Sequence, residues 1–142
     1  MRAAADVVDA VAFVWLGMVL AISFLEAPLK FRAPGVTLML GLGIGRLVFR
    51  ALHVIELVFA VLVVCALLLG NLSWWVTGAL GLAVVLLLAQ LVLVQPRLTR
   101  RSDAVLAGAE APRSRAHYAY IALEGVKVLA LLFGGVLTLA VQ

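Results

Sequence analysis

Ionisable residues occur at helical spacing inside an otherwise apolar stretch of the chain. They are Arg46, Arg50, His53 and Glu56. At about 100° per residue, this spacing places all of them on one face of a helix. The residues that follow, 57–70, carry no charge. Because a lone charge at the centre of a membrane costs about 2.5–3.5 kcal/mol, the pattern indicates a polar site or buried ion pairs inside a membrane.

A second polar stripe opens the last apolar stretch, and an acidic residue closes the first. The second stripe is His117, Tyr120, Glu124 and Lys127. We expect the two stripes and the acidic residue to form one intramembrane polar cluster that binds an ion or a small polar solute. Its members are Glu26, Arg46, Arg50, His53, Glu56, His117, Tyr120, Glu124 and Lys127. Within it we expect Glu56 and Glu124 to be the switchable charges, with Arg50, His53, His117 and Lys127 as their partners.

Other interpretations of the same residues stay open. The charges can be ion pairs that only fix the register of the helices. A metal or redox enzyme is a second alternative, with His53, Glu56, His117 and Glu124 as candidate ligands or with haem between the two histidines. Nearby basic residues would repel a cation, and no catalytic triad pattern occurs, so neither a cofactor nor an enzyme is favoured. The third alternative is an accessory subunit of a membrane complex.

The composition indicates an integral membrane protein. Of 142 residues, 66% are hydrophobic and 13% are charged, whereas soluble domains are about half apolar and a quarter charged. A single all-α domain, a four-helix transmembrane bundle, is therefore predicted. The formal charge of +4 comes from basic residues beside apolar spans, which favours a membrane surface over nucleic acid. The lipid bilayer is the expected partner, and a homo-oligomer or another membrane protein stays open.

Apolar runs and prolines predict where the four spans lie. They cover about residues 10–26, 47–69, 75–94 and 117–141, and we expect Pro28 and Pro96 to end the first and third. Residues 36–70 would make a helix of about 50 Å, longer than the hydrocarbon core of about 30 Å. We therefore predict a short interfacial segment at about 36–44, a break near Gly45, and a hydrophilic loop at 97–116.

The basic residues also predict how the bundle is oriented. Lys30 and Arg32 lie in the first loop, and five arginines lie in the third. The positive-inside rule places both loops in the cytoplasm and both termini outside, in a multi-pass protein of the cell membrane. In this topology every span places its polar residues near the cytoplasmic side. An apolar plug then closes the outer half.

Short motifs along the chain resemble those of a known family. They are Trp15-x-Gly17, Phe24, Pro28, His53, Gln95-Pro96-Arg97 and Arg115-x-His117. The chain thus resembles the small four-span membrane proteins of unknown function that include human transmembrane protein 205 and bacterial relatives. The resemblance implies a polytopic membrane protein and supplies no catalytic residues. The third loop is shorter than the human relative implies, and Glu56, Glu124 and Lys127 match no family motif.

Overall fold

A computed structural model describes residues 2–108 and 115–142. Over these residues the chain forms four long helices and no strand. They are α1 (Arg2–Lys30), α2 (Leu38–Leu69), α3 (Trp74–Leu106) and α4 (Arg115–Ala140). Each is long and apolar enough to cross a membrane. The predicted all-α membrane bundle is confirmed.

The helices pack around an apolar core. Helix α1 packs against both α2 and α4, and α4 packs along α3. The core is formed by Val8, Ala12, Trp15, Leu16, Val19, Ala60, Val63, Ala66, Val76, Leu80, Ala83, Leu87, Ala130 and Leu131. Small residues bring the helices close, since a Cβ at Gly134 would overlap the side chain of Leu80. The outward faces are apolar, with Leu47, Leu68 and Leu69 highly exposed, as lipid contact requires.

Two groups of contacts define the ends of the bundle. The side chain of Ala4 lies against Gly70, and Nε2 of Gln142 donates a hydrogen bond to Asp9 over 2.8 Å. Both termini and the turn between α2 and α3 therefore share one end. At the opposite end, which we call the basic end, Arg46 of α2 pairs with Asp103 of α3 over 2.6 Å.

The prediction that Pro28 and Pro96 end their helices is wrong. A π-helical segment precedes each proline, Leu20–Glu26 in α1 and Gln90–Val94 in α3, and each helix continues beyond it. A proline lacks an N–H group and its ring clashes with the carbonyl four residues earlier. The wider turn relieves this conflict, because Ala27 N–H bonds to the Ile22 carbonyl and Gln95 N–H to the Gln90 carbonyl, five residues back in both cases.

The predicted break near Gly45 is also absent. Helix α2 begins after Thr37, whose side chain accepts the N–H of Leu40 over 3.1 Å, and it continues unbroken through Gly45. The predicted interfacial segment is therefore the first part of α2. With 32 residues α2 is about 48 Å long, and it exceeds the hydrocarbon core of about 30 Å.

Much of the predicted hydrophilic loop at 97–116 is helical. The segment Gln95–Leu106 extends α3 past Pro96 and packs against the beginning of α2. Arg113, one of the five loop arginines, lies outside the described residues. The parts of α1 and α3 that follow their π-helical segments, Ala27–Lys30 and Gln95–Leu106, lie at the basic end.

Candidate functional site: a buried ion cluster and its cavity

A lysine and two glutamates meet in the interior of the bundle. Nζ of Lys127 lies 2.5 Å from Oε1 of Glu56 and 2.6 Å from Oε1 of Glu124. It also donates to Oε1 of Gln90 over 2.8 Å. At most 1% of each of the three charged side chains is exposed. We call Glu56, Glu124 and Lys127 the ion cluster.

Uncharged donors complete the surroundings of the two carboxylates. Nε1 of Trp15 donates to Oε1 of Glu56 over 2.8 Å, and Oγ of Ser23 donates to Oε2 of Glu124 over 2.8 Å. Nε2 of Gln90 lies 3.4 Å from Oε1 of Glu124. Helices α1 to α4 therefore each contribute to the cluster. Such bonds matter because a buried charge without partners is strongly unfavourable.

The cluster has more acidic than basic groups. Two carboxylates share one ammonium, so the fully ionised cluster would carry one excess negative charge. Oε2 of Glu56 is buried and accepts no hydrogen bond from any group in the described part of the chain. One added positive charge, such as a proton, would make the cluster neutral, and a membrane interior favours that neutral state.

The π-helical segments carry two of the uncharged partners. Ser23 lies in Leu20–Glu26, and Gln90 is the first residue of Gln90–Val94. The extra residue of a π-helical turn rotates the following side chains relative to an α-helix, and such turns are frequent at functional sites. Pro28 and Pro96, which favour these turns, are therefore part of what positions the site.

A histidine and a tyrosine lie beside the ion cluster. Nε2 of His53 is 2.8 Å from the hydroxyl of Tyr120, and both residues are buried. The ring of Phe49 meets Tyr120 edge-on, with centroids 6.0 Å apart. The backbone carbonyl of Tyr120 accepts a hydrogen bond from Nε2 of Gln90 over 3.4 Å. The pair is thus linked to the cluster through Gln90.

A cavity of about 390 Å³ lies between the basic end and the ion cluster. Glu124, Tyr120 and Ser23 contribute to its lining, whereas Glu56 and Lys127 do not. The basic side chains that line it are Lys30, Arg46 and Arg101, together with His117. Apolar walls are provided by Phe24, Pro28, Phe31, Leu42, Phe49, Leu98 and Ile121. The volume lies within the range of about 300–1,000 Å³ typical of small-molecule sites.

The structure brings together most of the predicted site residues. Glu56, Glu124 and Lys127 form the cluster, and His53 and Tyr120 adjoin it. On the far side from the cavity the apolar core begins, at Ala60 and Val63 in α2 and at Ala130 and Leu131 in α4. The order from basic end to termini is therefore cavity, ion cluster and apolar core.

The remaining predicted residues lie nearer the basic end. Arg46 and His117 line the cavity. Glu26 lies 3.9 Å from Lys30, one helical turn along α1, and outside the cluster. Arg50 is exposed, so the prediction that it pairs with a buried glutamate is wrong. Both glutamates pair with Lys127 instead, because the side chain of Lys127 is fully buried inside the bundle whereas that of Arg50 is exposed.

Three residues of the site were absent from the predicted set: Trp15, Ser23 and Gln90. A buried indole N–H usually has a hydrogen-bond partner, so a tryptophan inside an apolar span is a usable signal for Trp15. Gln90 was the only strongly polar residue of its span. Ser23 gave no signal, because its orientation depends on the π-helical turn.

The candidate metal ligands do not assemble into a metal site. Among the described residues, no group of three or more His, Cys, Asp and Glu side chains is arranged to hold a metal ion. The ammonium of Lys127 lies against both Glu56 and Glu124. His53 is occupied by Tyr120, and His117 is at the cavity. The arrangement therefore suits proton or hydrogen-bond chemistry better than metal ligation.

The fold and the site define a multi-pass, all-helical membrane protein with a charged interior. Comparisons with family models, with curated proteins and with solved structures find no match. The resemblance to the family of human transmembrane protein 205 stays a prediction.

Proposed function

We propose that the protein binds a small polar solute or ion inside the membrane, at the cavity that ends on Glu124. The observation that carries the proposal is the dual position of this residue. Glu124 lines the cavity and also belongs to the ion cluster. A group that enters the cavity therefore contacts a carboxylate whose charge is coupled to Lys127 and, through it, to Glu56.

The cost of burying charge supports a functional role. Each isolated charge in a membrane helix costs about 2.5–3.5 kcal/mol, and an apolar core would avoid this cost altogether. Intramembrane charges commonly mark substrate or proton pathways. Because the cluster has one more carboxylate than ammonium groups, binding of a charged solute should change how strongly the cluster holds a proton.

We also propose that the basic end faces the cytoplasm. Lys30 and Arg32 flank α1, and Arg97, Arg100 and Arg101 lie on the extension of α3. The opposite end has only Arg2 against Asp6 and Asp9. The positive-inside rule favours this orientation, and the cavity then opens toward the cytoplasm.

A thermal-shift panel on the detergent-purified protein tests the proposal. The probes are acetate, phosphate, glycine betaine, ethylamine, sodium and potassium, each across a concentration series. A ligand present at 100 times its Kd stabilises the folded state by about 2.7 kcal/mol. We expect at least one probe to raise the Tm of the native protein and to have a smaller effect on Glu124→Gln.

Two variants make the panel decisive. Arg50→Gln changes an exposed charge outside the cavity and should respond like the native protein. Ser23→Ala removes a cavity hydroxyl but leaves the ion cluster intact, and its response should be weakened. If no probe raises the Tm, or if Glu124→Gln responds as the native protein does, the proposed function is wrong.

A further inference from the structure

The cavity has opposite electrical character at its two ends. Lys30, Arg46 and Arg101 line it near the basic end, and Glu124 is its acidic lining residue. The acidic end is already occupied by Lys127, which lies 2.6 Å from Glu124. A small cation entering the cavity would therefore have to pass the basic side chains before it reached Glu124, and a proton can neutralise the excess charge of the ion cluster in its place.

Lys30 is the most distinctive of the basic side chains. Its side chain is 10% exposed, although it carries a full charge. Its Nζ lies 3.9 Å from Glu26, which is longer than a hydrogen bond. It also lies 5.5 Å from the ring centre of Phe31 and 5.8 Å from that of Phe49. The ammonium is thus paired with Glu26 without a hydrogen bond and also lies near two aromatic rings. An anion that accepts a hydrogen bond from it would add a direct, charge-assisted contact.

Two glycines of α2 create the space for this arrangement. A Cβ at Gly45 would lie 2.8 Å from Nζ of Lys30, and a Cβ at Gly41 would overlap the ring of Phe31. Gly43 lies between them and a Cβ there would meet nothing within 4 Å. The close approach therefore occurs on the helix face that carries Gly41 and Gly45. This face packs against Lys30 and Phe31, which line the cavity.

The electrostatic surroundings also favour an anion. Arg46 is held in position by Asp103 over 2.6 Å. Arg32, Arg97 and Arg100 add positive charge on the adjoining segments. The clustered positive charge at the basic end therefore raises the local concentration of anions at that end of the cavity.

From these observations we infer that the cavity binds an organic anion. Its anionic group, a carboxylate or a phosphate, contacts Lys30 and Arg46. Its apolar body lies against Phe31, Phe49 and Ile121, between the basic end and Glu124. This inference rests on the proposed function, since it assigns the chemical class of the solute for the same cavity. The anionic group can belong to a soluble molecule or to a lipid headgroup.

Matched aromatic probes distinguish the charge of the ligand. The anion is 3-phenyllactate, the cation is 2-phenylethylamine, and the neutral compound is 3-phenylpropan-1-ol. Binding to the detergent-purified protein is measured by titration calorimetry at low salt. We expect saturable binding of 3-phenyllactate at least tenfold tighter than that of the other two, and weaker binding as the salt concentration rises.

A second set of measurements distinguishes a soluble anion from a lipid. The protein is reconstituted in nanodiscs of phosphatidylcholine alone or with phosphatidic acid, and its Tm is measured in each. Stabilisation by phosphatidic acid without binding of 3-phenyllactate supports the anionic group and assigns it to a lipid. Binding of 3-phenyllactate with no effect of phosphatidic acid supports a soluble anion.

Variants connect the binding to Lys30. Lys30→Met should weaken 3-phenyllactate binding at least tenfold, whereas Arg32→Met, an exposed residue that does not line the cavity, should change it less than threefold. If Lys30→Met does not fold, Arg46→Gln replaces it with the same expectation. Tighter binding of 2-phenylethylamine would overturn the anion inference and leave the proposed function standing. No binding of any aromatic probe together with no stabilisation by phosphatidic acid would overturn the anion inference alone. If, in addition, no probe of the earlier panel changed the Tm, both the inference and the proposed function would be overturned.

Discussion

Nζ of Lys127 lies 2.5 Å from Oε1 of Glu56, a residue 71 positions away in the sequence, and neither side chain is exposed. This contact joins α2 and α4 where the cavity gives way to the apolar core. Glu124 shares the same ammonium at 2.6 Å. Because the membrane interior stabilises isolated ions poorly, the three charges are expected to behave as one unit.

Removal of the shared cation should be the most damaging change in the cluster. Lys127→Met leaves two buried carboxylates without their common partner, and breaking a buried pair in this way costs about 3–5 kcal/mol. We expect this loss in the free energy of unfolding, measured by reversible denaturation in mixed micelles. Arg50→Met is the control and should change the stability little, since Arg50 is exposed. Equal stability of Lys127→Met and the native protein would contradict a paired cluster.

Removal of one carboxylate should be tolerated better than removal of both. Glu124→Gln leaves Glu56 and Lys127 as a neutral pair, whereas Glu56→Gln/Glu124→Gln leaves the ammonium alone. We therefore expect the single variant to lose clearly less stability than Lys127→Met, and the double variant to lose a similar amount, about 3–5 kcal/mol. If the single variant is as unstable as the double one, the cluster has no excess negative charge and the register-fixing interpretation gains support.

The hydrogen bond from Trp15 predicts a separate effect. Trp15→Phe keeps an aromatic ring in the core but removes the donor that lies 2.8 Å from Glu56. Hydrogen bonds to charged groups contribute about 1.5–3 kcal/mol, and we expect a loss of this size in the same unfolding measurement. Trp74→Phe, at an exposed tryptophan stacked on Trp75, should have little effect. Similar losses from both substitutions would indicate that ring size alone matters.

The glycines of α2 provide a matched pair of substitutions. Gly41→Ala places a methyl group against the ring of Phe31, so that ring must move. Gly43→Ala meets no atom within 4 Å and should be neutral or stabilising, because alanine favours a helix over glycine by about 1 kcal/mol. We expect Gly41→Ala to have a lower Tm than Gly43→Ala. The reverse order would show that Phe31 does not pack on Gly41.

The sequence was most informative where two signals agreed, namely the energetic cost of burying a charge in a membrane and the helical spacing of the residues. Long apolar runs predicted the spans, because only helices satisfy their backbone groups in lipid. Helical spacing placed Glu124 and Lys127 on one face, and the cost of buried charge singled out Glu56. These residues do meet in the structure.

Features that depend on local geometry were not predictable to the same extent. Pro28 and Pro96 indicated helix ends, but a π-helical turn before each proline removes the conflict with the preceding carbonyl. The choice of Lys127 over Arg50 as partner depends on how the helices are rotated in the bundle. Ser23 lies in the π-helical segment and donates to Glu124, but a proline in the sequence indicates a helix end as readily as a π-helical turn.

The most direct test of the account measures whether a reagent reaches the cluster from the basic end alone. Ser23→Cys, beside Glu124 in the cavity, is placed in a Cys65→Ser background and treated with a membrane-impermeant thiol reagent. Right-side-out and inside-out vesicles expose the two faces of the membrane separately. Thr99→Cys, which also lines the cavity, is the positive control, and Thr138→Cys, fully buried in α4, is the negative control.

We predict that Ser23→Cys and Thr99→Cys react when the cytoplasmic face is exposed, and that Thr138→Cys reacts from neither side. Reaction of Ser23→Cys from the outer face, or from neither face while Thr99→Cys reacts, would contradict a cavity that connects the cytoplasm to Glu124.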